Sequence, residues 1–312
     1  MSEKLNIFSA FDGIACGYNA LLDAGFEIDN YYASEIDTAA IKVAKYNHPD
    51  IKEIGDITDI DFGNYSTDID ILLGGSPCID LSRCGKREGL YGKYSSLFWY
   101  FVDALKIIKP KYFLFENVAS MEDIDKNIIS KALGVKPIMI DSALLSAQHR
   151  ERYYWTNIPN VEPPEHTHVY MKDIIARDYE SEEDKVHFLN RAVDWIPEDK
   201  IKRKELMPIR IGTLSGLSHA QSNRVYSLEG KSVSIVANSG GSGGKTGLWK
   251  IDTEDGYILR KLLPVECERL QTLPDNYTLV NGVSTTQRYK LINNGWTVKI
   301  ISHILKNLKG VV

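Results

Sequence analysis

Between residues 5 and 141, short apolar runs alternate with helical patterns, the order required by a parallel sheet covered with helices. Runs at 5–9, 31–33, 68–73, 112–115 and 137–141 read as strands. Helical patterns run through Leu21 and Leu22, over 38–46 and over 97–108. The fold class expected is α/β, a Rossmann-like sheet with helices on both faces. The alternation breaks near Pro159. Pro163-Pro164 and the acidic stretch to Asp199 read as a connector, and 200–258 holds short β-like pieces at 225–227, 232–237 and 257–259. Helical patterns return at 265–273, 285–292 and 298–308. The expected organisation is a discontinuous large domain, 1–160 with 260–312, carrying a small inserted domain at 161–259.

Chemistry concentrates where the strands end. The run to Leu73 leads into Gly74-Gly75-Ser76-Pro77-Cys78, a glycine-rich loop with a cysteine at the lip of a buried strand. An α/β enzyme displays a nucleophile at such a place. Alone, Cys78 would read better as a small buried hydrophobe. A second strand, ending in Glu116-Asn117-Val118, brings a carboxylic acid to the same sheet edge and favours covalent catalysis with proton donation.

The first strand opens into Phe11-Asp12-Gly13 with Gly17 beyond, where a nucleotide-binding βαβ unit has its glycine turn. Glu35 ends the second strand, where a carboxylate grips ribose hydroxyls, and Asp56 follows the third, placed to accept from an adenine amino group. No phosphate-binding lysine follows the first turn, which favours an adenosyl cofactor without a phosphate chain. Gly240-Gly241-Ser242-Gly243-Gly244-Lys245-Thr246 is only superficially a phosphate loop, because Ser239 stands where the motif needs glycine.

Four cysteines in 312 residues are too few and too scattered for a disulfide scaffold, and they form no paired zinc spacing. No apolar run approaches the roughly 20 residues that span a bilayer. A reducing, cytoplasmic setting without membrane or metal is expected. Net charge is −5, yet it is unevenly spread. Residues 162–199 carry eleven acidic and four basic side chains, whereas 200–250 carry nine basic and two acidic. The second segment offers a basic face to a polyanion.

Taken together, these pieces resemble the C5-cytosine DNA methyltransferases over nearly the whole chain. Phe11-Asp12-Gly13-Ile14-Ala15-Cys16-Gly17 looks like the family's first cofactor motif, Gly75-Ser76-Pro77-Cys78 its nucleophile motif, and Glu116-Asn117-Val118 its acid motif. Gln148-His149-Arg150-Glu151-Arg152 matches Gln-x-Arg-x-Arg. Arg224-Val225-Tyr226-Ser227 is similar to the end of a target-recognition domain, and Pro264 to Gln271 to a late helix. Residues 287–298 resemble the last cofactor motif, departing from it at Asn293-Asn294-Gly295-Trp296. Motif style is nearest the branch containing the animal de novo enzymes, in a compact bacterial or phage-type architecture.

The resemblance implies S-adenosylmethionine as cofactor, with Phe11, Asp12, Gly13, Ile14, Glu35, Ile36, Asp56, Ile57, Pro77, Asn294, Gly295 and Trp296 in its site. Double-stranded DNA is the implied partner. Cys78 would add to carbon 6 of a cytosine and turn carbon 5 into a nucleophile, while Glu116 donates at N3. Arg152, with Arg150 beside it, would hold O2 or brace the constellation. The thiolate must be plentiful, and a carboxylic acid donates only where it keeps its proton near neutral pH. None of this can happen inside a stacked duplex, so the base must be flipped out. The loop 80–95, with Ser82, Arg83, Lys86 and Arg87, is the expected lid. Arg210, Gln221, Asn223 and Arg224 are the expected base readers. Three other readings stay open: a tRNA cytosine methyltransferase of the same fold, a silent DNA-binding relative, and an enzyme acting on free pyrimidine nucleotides.

Overall fold

The computed structural model describes residues 4–65, 68–77, 81, 89–92, 95–176, 191–236, 244 and 246–310. Two compact units emerge. The first comprises Met1–Asp141, Glu151–Pro164 and Val298–Val312, the second Ser142–Arg150 and Glu165–Thr297.

In the first unit the order is β1 (Leu5–Ala10), α1 (Cys16–Ala24), β2 (Ile28–Ser34), α2 (Thr38–Asn47), β3 (Lys52–Glu53), β4 (Ile71–Gly74), α3 (Phe98–Ile108), β5 (Tyr112–Val118), α4 (Asp123–Leu133), β6 (Ile138–Asp141) and β7 (Glu151–Thr156). Seven strands form one sheet in the order β3-β2-β1-β4-β5-β7-β6. The first five run parallel, while β7 is antiparallel to both β5 and β6. The α/β expectation holds, and β7 adds a strand at 151–156 where the sequence shows only the end of Gln-x-Arg-x-Arg. β7 is short and polar at its start (Glu151, Arg152), and its strand character comes from pairing on both sides.

Phe8, Leu72, Phe113 and Phe115 share one face and form a core with Phe98, Phe101, Val102 and Trp155. Their alternates Ile7, Ile71, Leu73 and Leu114 are also fully buried, so both faces are covered. Each such side chain contributes about 1.5–3 kcal/mol of burial. Asp37 caps α2 by accepting from the Ala39 N–H at 3.0 Å. Gly25 ends α1 in the left-handed region, φ +84°.

The second unit has α5 (Met171–Ile174), β8 (Val193–Trp195), β9 (Arg210–Leu214), β10 (Arg224–Tyr226), β11 (Leu248–Thr253), β12 (Gly256–Arg260), α6 (Pro264–Leu270) and α7 (Thr285–Asn294). Its five strands lie in the order β12-β11-β10-β9-β8, parallel only between β10 and β11. Residues 232–236 form no strand and pair only through one bridge, Ser232 with Gln148.

Residues 260–297, expected with the large domain, pack instead within this unit. Leu262, Cys267, Leu270 and Ile292 share a core with Met171, Tyr226 and Trp249. Arg260 and Glu266, both fully buried, form a bidentate pair at 2.8 and 2.6 Å. Glu266 also accepts from the N–H groups of Leu263 and Ala176. The helix α8 (Val298–Lys306) belongs to the first unit, where it packs on α1 and Ser302 donates to Asp23 at 2.5 Å. Among the described residues, no helix is long and apolar enough to cross a membrane.

Candidate active site

Strand order reverses between β1 and β4, the place where open α/β sheets bind ligands beyond their carboxyl ends. Ala10 pairs with Gly74, so the loop after β1 and the loop after β4 leave from adjacent strand ends. Gly74 is required by close approach, since a Cβ there would stand 2.6 Å from the Phe101 ring.

The turn after β1 is tightly bent. Phe11, Gly13 and Ala15 all have left-handed backbones, with φ of 57°, 62° and 59°. For two non-glycine residues that is strain, of the kind concentrated at functional sites. Glu35 holds the turn: its carboxylate accepts from the Gly13 N–H at 2.8 Å and from the N–H groups of Ile36 and Asp37 at 2.7 and 2.8 Å. Asp12 is nine-tenths buried. One oxygen accepts from the Ser9 and Tyr31 hydroxyls, both at 2.6 Å, and the other is buried without a partner. Burial pushes the Asp12 carboxyl up to about 6, against the lowering effect of its two hydroxyl donors. Glu53, at the end of β3, is raised by burial to about 7, and the charges of Asp12 and Glu35 add to the rise.

Asp56 accepts from the Thr58 N–H at 2.9 Å, Ile57 is buried, and Ile14 is buried beneath the turn. Ile36 leaves two thirds of its surface exposed, an apolar side chain beside the Glu35 carboxylate. The donor set suits an adenosyl cofactor. Glu35 sets a carboxylate at the end of β2 with the apolar Ile36 beside it, and the orphaned Asp12 oxygen is an acceptor suited to a cationic amino group. Asp12 and Glu35 emerge together as the first turn folds back over β2.

Around the second loop, Glu116 and Arg152 form the central pair, Nε to Oε1 at 2.9 Å, with both side chains largely buried. Sheet register produces this pair. Val118 lies opposite Arg152 across the antiparallel β5–β7 ladder, so Glu116 is its diagonal neighbour on the same face. The adjoining Asn117 side chain donates to the Ser76 carbonyl at 3.2 Å and lies 3.4 Å from the Ser76 hydroxyl. Residues 75–77 are thereby tied to the acid strand. Pro77 ends this described stretch. Cys78 lies outside the described residues, as do Ser82, Arg83, Lys86 and Arg87 of the expected lid and most of the glycine-rich loop at 239–247.

Arg150 takes a different place from Arg152. Buried in the second unit, it donates to the carbonyls of Asn293 at 3.0 Å and Gly295 at 3.3 Å. Gln271 donates to the carbonyls of Ile292 and Gly295 and accepts from Thr297, which also pairs with Ser142 at 2.8 Å. The 292–297 turn is held from several sides, with Asn294 exposed, Gly295 buried and Trp296 half-buried. Arg150 thus braces the last motif, whereas the resemblance implies a place for it among the catalytic groups. Gln148 is completely buried, and neither of its amide atoms has a hydrogen-bond partner. Such a group calls for a specific explanation, and in the sequence Gln148 stands out only as the first residue of Gln-x-Arg-x-Arg.

The expected readers converge on one loop. The Arg210 guanidinium meets His219 Nδ1 at 3.0 Å and Thr213, Arg224 donates to the His219 carbonyl at 2.8 Å, and Asn223 donates to the Ser218 carbonyl at 3.1 Å. Gln221 keeps a buried amide nitrogen without a partner. His219, exposed between the two arginines, was missed because no motif marks it. Of the basic residues at 200–250, Lys231 is fully buried and donates to the carbonyls of Ser146 and Val169, so it cannot face a phosphate. Lys202 and Lys204 are exposed.

A family model described as C-5 cytosine-specific DNA methylase matches residues 4–310. The chain is 28% identical to the type II methyltransferase M.HhaI of Haemophilus parahaemolyticus, over 97% of its own length and 94% of that protein's. Its fold is similar to the Entamoeba histolytica methyltransferase EhMeth, with a TM-score of 0.71 at 16% identity over 99% of each chain. It is similar also to a substituted form of DNMT2 from Spodoptera frugiperda, with a TM-score of 0.69 at 19% identity over 98% and 100% of the two chains. At such identities the two structures speak for the fold alone. The match over residues 4–310 carries the assignment: the chain belongs to the C-5 cytosine-specific DNA methylase family.

Proposed function

We propose that this protein is a DNA cytosine-5 methyltransferase that modifies a flipped-out cytosine in double-stranded DNA. The observation that carries the proposal is the Glu116–Arg152 pair on the strand to which the loop ahead of Cys78 is tied. S-adenosylmethionine, when bound, supplies an activated methyl group. Glu35 would hold its ribose hydroxyls, Asp56 its adenine amino group and Asp12 its ammonium, with Ile36 covering the adenine. Asn294, Gly295 and Trp296 remain cofactor candidates on the strength of the sequence resemblance, with Arg150 and Gln271 holding their backbone.

Carbon 5 of cytosine is a weak nucleophile. Addition of the Cys78 thiolate at carbon 6 pushes electrons to carbon 5, and Glu116 delivers a proton to N3, where charge gathers. Arg152 fixes the carboxyl of Glu116 and offers its remaining guanidinium donors to O2. Carbon 5 would then take the methyl group, leaving S-adenosylhomocysteine; transfer of the carbon-5 proton to water and of the N3 proton back to Glu116 would expel the Cys78 thiolate and restore the ring. Residues 165–297 of the second unit would supply recognition: Lys202 and Lys204 for phosphates, and the Arg210–His219–Arg224 cluster for base edges.

Transfer of a tritiated methyl group from S-adenosylmethionine into duplex DNA and into tRNA tests the substrate. Label in the duplex as 5-methylcytosine is expected. Label confined to tRNA would replace DNA by the alternative substrate of the same chemistry.

A further inference from the structure

We infer that His166, His168 and Glu205 form a site for a zinc-class divalent transition-metal ion in the second unit. His166 Nδ1 stands 3.1 Å and His168 Nδ1 3.5 Å from the same oxygen, Glu205 Oε1. The three candidate donor atoms all lie within 4.8 Å of one another. Zinc–nitrogen and zinc–oxygen bonds near 2.1 Å give a tetrahedral ligand-to-ligand edge of about 3.4 Å. Two of the three edges are therefore already at that length. The imidazoles are drawn together, with ring centroids 4.2 Å apart at an interplanar angle of 47°.

The segment carrying the histidines is anchored. Thr167, between them, donates both its N–H and its hydroxyl to the Leu144 carbonyl, at 2.9 and 3.0 Å. His168 itself takes a left-handed backbone, φ +55°, a strained conformation for a side-chain-bearing residue. Glu205 comes from a turn closed by the Met207 N–H to the Lys204 carbonyl. An ion would join positions 39 residues apart in sequence and pin the basic stretch 200–204 to the histidine segment.

Donor chemistry selects the ion. Two imidazoles and one carboxylate suit a nitrogen-preferring transition metal, whereas calcium and magnesium require mostly oxygen ligands. Neighbouring Lys202, Arg203 and Lys204 further disfavour a hard ion held by charge alone. Three protein ligands leave one position of a tetrahedron for water. This site is independent of the methyl-transfer chemistry.

The test uses the full chain stripped with chelator, titrated with Zn2+ by calorimetry and with Co2+ by visible absorption. One tight equivalent is expected, with the intense absorption of four-coordinate Co2+ and a rise in melting temperature. His168→Ala and Glu205→Gln, both at exposed positions, should each weaken Zn2+ binding at least about tenfold. Cys78→Ser and His303→Ala should leave it unchanged. Absence of uptake, or uptake undiminished in both ligand variants, would overturn the assignment.

Discussion

At the scale of single residues, burial decides most of the chemistry. Asp12 was recognisable in the sequence as part of the first turn, but its two hydroxyl donors, Ser9 and Tyr31, come from separate strands and no spacing announces them. Its folded carboxyl, raised to about 6, binds a proton more tightly than the same group unfolded. Stability from this residue is therefore full below the ordinary carboxylate range and falls as pH rises through 6. Urea unfolding from about pH 4 to pH 7 should reveal a loss larger in the wild type than in Asp12→Asn by up to about 3 kcal/mol. Glu53 acts in the same direction up to about pH 7 and its rise includes the Asp12 charge, so the difference between the two proteins reports Asp12 together with its effect on Glu53. An identical pH profile in the two proteins would remove Asp12 from this role. Arg150 teaches the complementary lesson. Two residues from Arg152 in sequence, it points to the carbonyls of 293 and 295, a partnership set by folding across more than 140 residues.

At the scale of elements, β1, β2, β4 and β5 were legible because each is a short apolar run at a regular interval. β7, β8, β9 and β11 were not, because they carry polar or charged residues and owe their strand form to partners. The late helix α6 was visible as a helix, but its residues Glu266 and Glu268 gave no sign of being completely buried. They are the anchors of paired arginines, Arg260 at 2.6 Å and Arg288 at 3.3 Å. Removing one partner of such a pair leaves an uncompensated buried charge. Glu266→Ala should thus lower unfolding free energy by about 3–5 kcal/mol, measured by denaturant titration of the whole chain. Replacing both Arg260 and Glu266 with apolar residues should cost much less. A small effect of the single substitution would mean that the pair is not the anchor of α6. On β5 the expected consequence is catalytic: Glu116→Gln should fold normally and slow methyl transfer by about 10²- to 10⁴-fold, read in single-turnover assays with saturating cofactor.

At the scale of the molecule, the division of labour was partly readable. The charge split marked a segment for a polyanion, but the compact second unit begins at residue 142 and includes 260–297, because its core is completed by α6 and α7. The nine basic residues counted at 200–250 also overstate the available cations, since Lys231 is enclosed by carbonyls and Lys250 pairs with Asp252. No cysteine lies near the histidine pair at 166 and 168, so no cysteine–histidine zinc spacing marks it in the sequence. Recognition is expected to divide accordingly. Lys202→Ala or Lys204→Ala should weaken binding to all DNA sequences and flatten its salt dependence. Arg210→Ala or Arg224→Ala should relax preference at one flanking base, at about 1–3 kcal/mol of discrimination. Bisulfite profiles that kept the wild-type context in both arginine variants and in Asn223→Ala would move the reading face away from the His219 loop.

The central claim is covalent catalysis by Cys78 on a DNA cytosine, and a duplex carrying 5-fluorocytosine tests it most directly. Fluorine at carbon 5 blocks the elimination that would release the enzyme, so with S-adenosylmethionine present the wild-type protein should become covalently bound to the duplex. Peptide mass spectrometry should then locate the adduct on Cys78, and Cys78→Ser should form none while still binding cofactor. Failure of the wild type to trap, or an adduct that persists in Cys78→Ser, would contradict it.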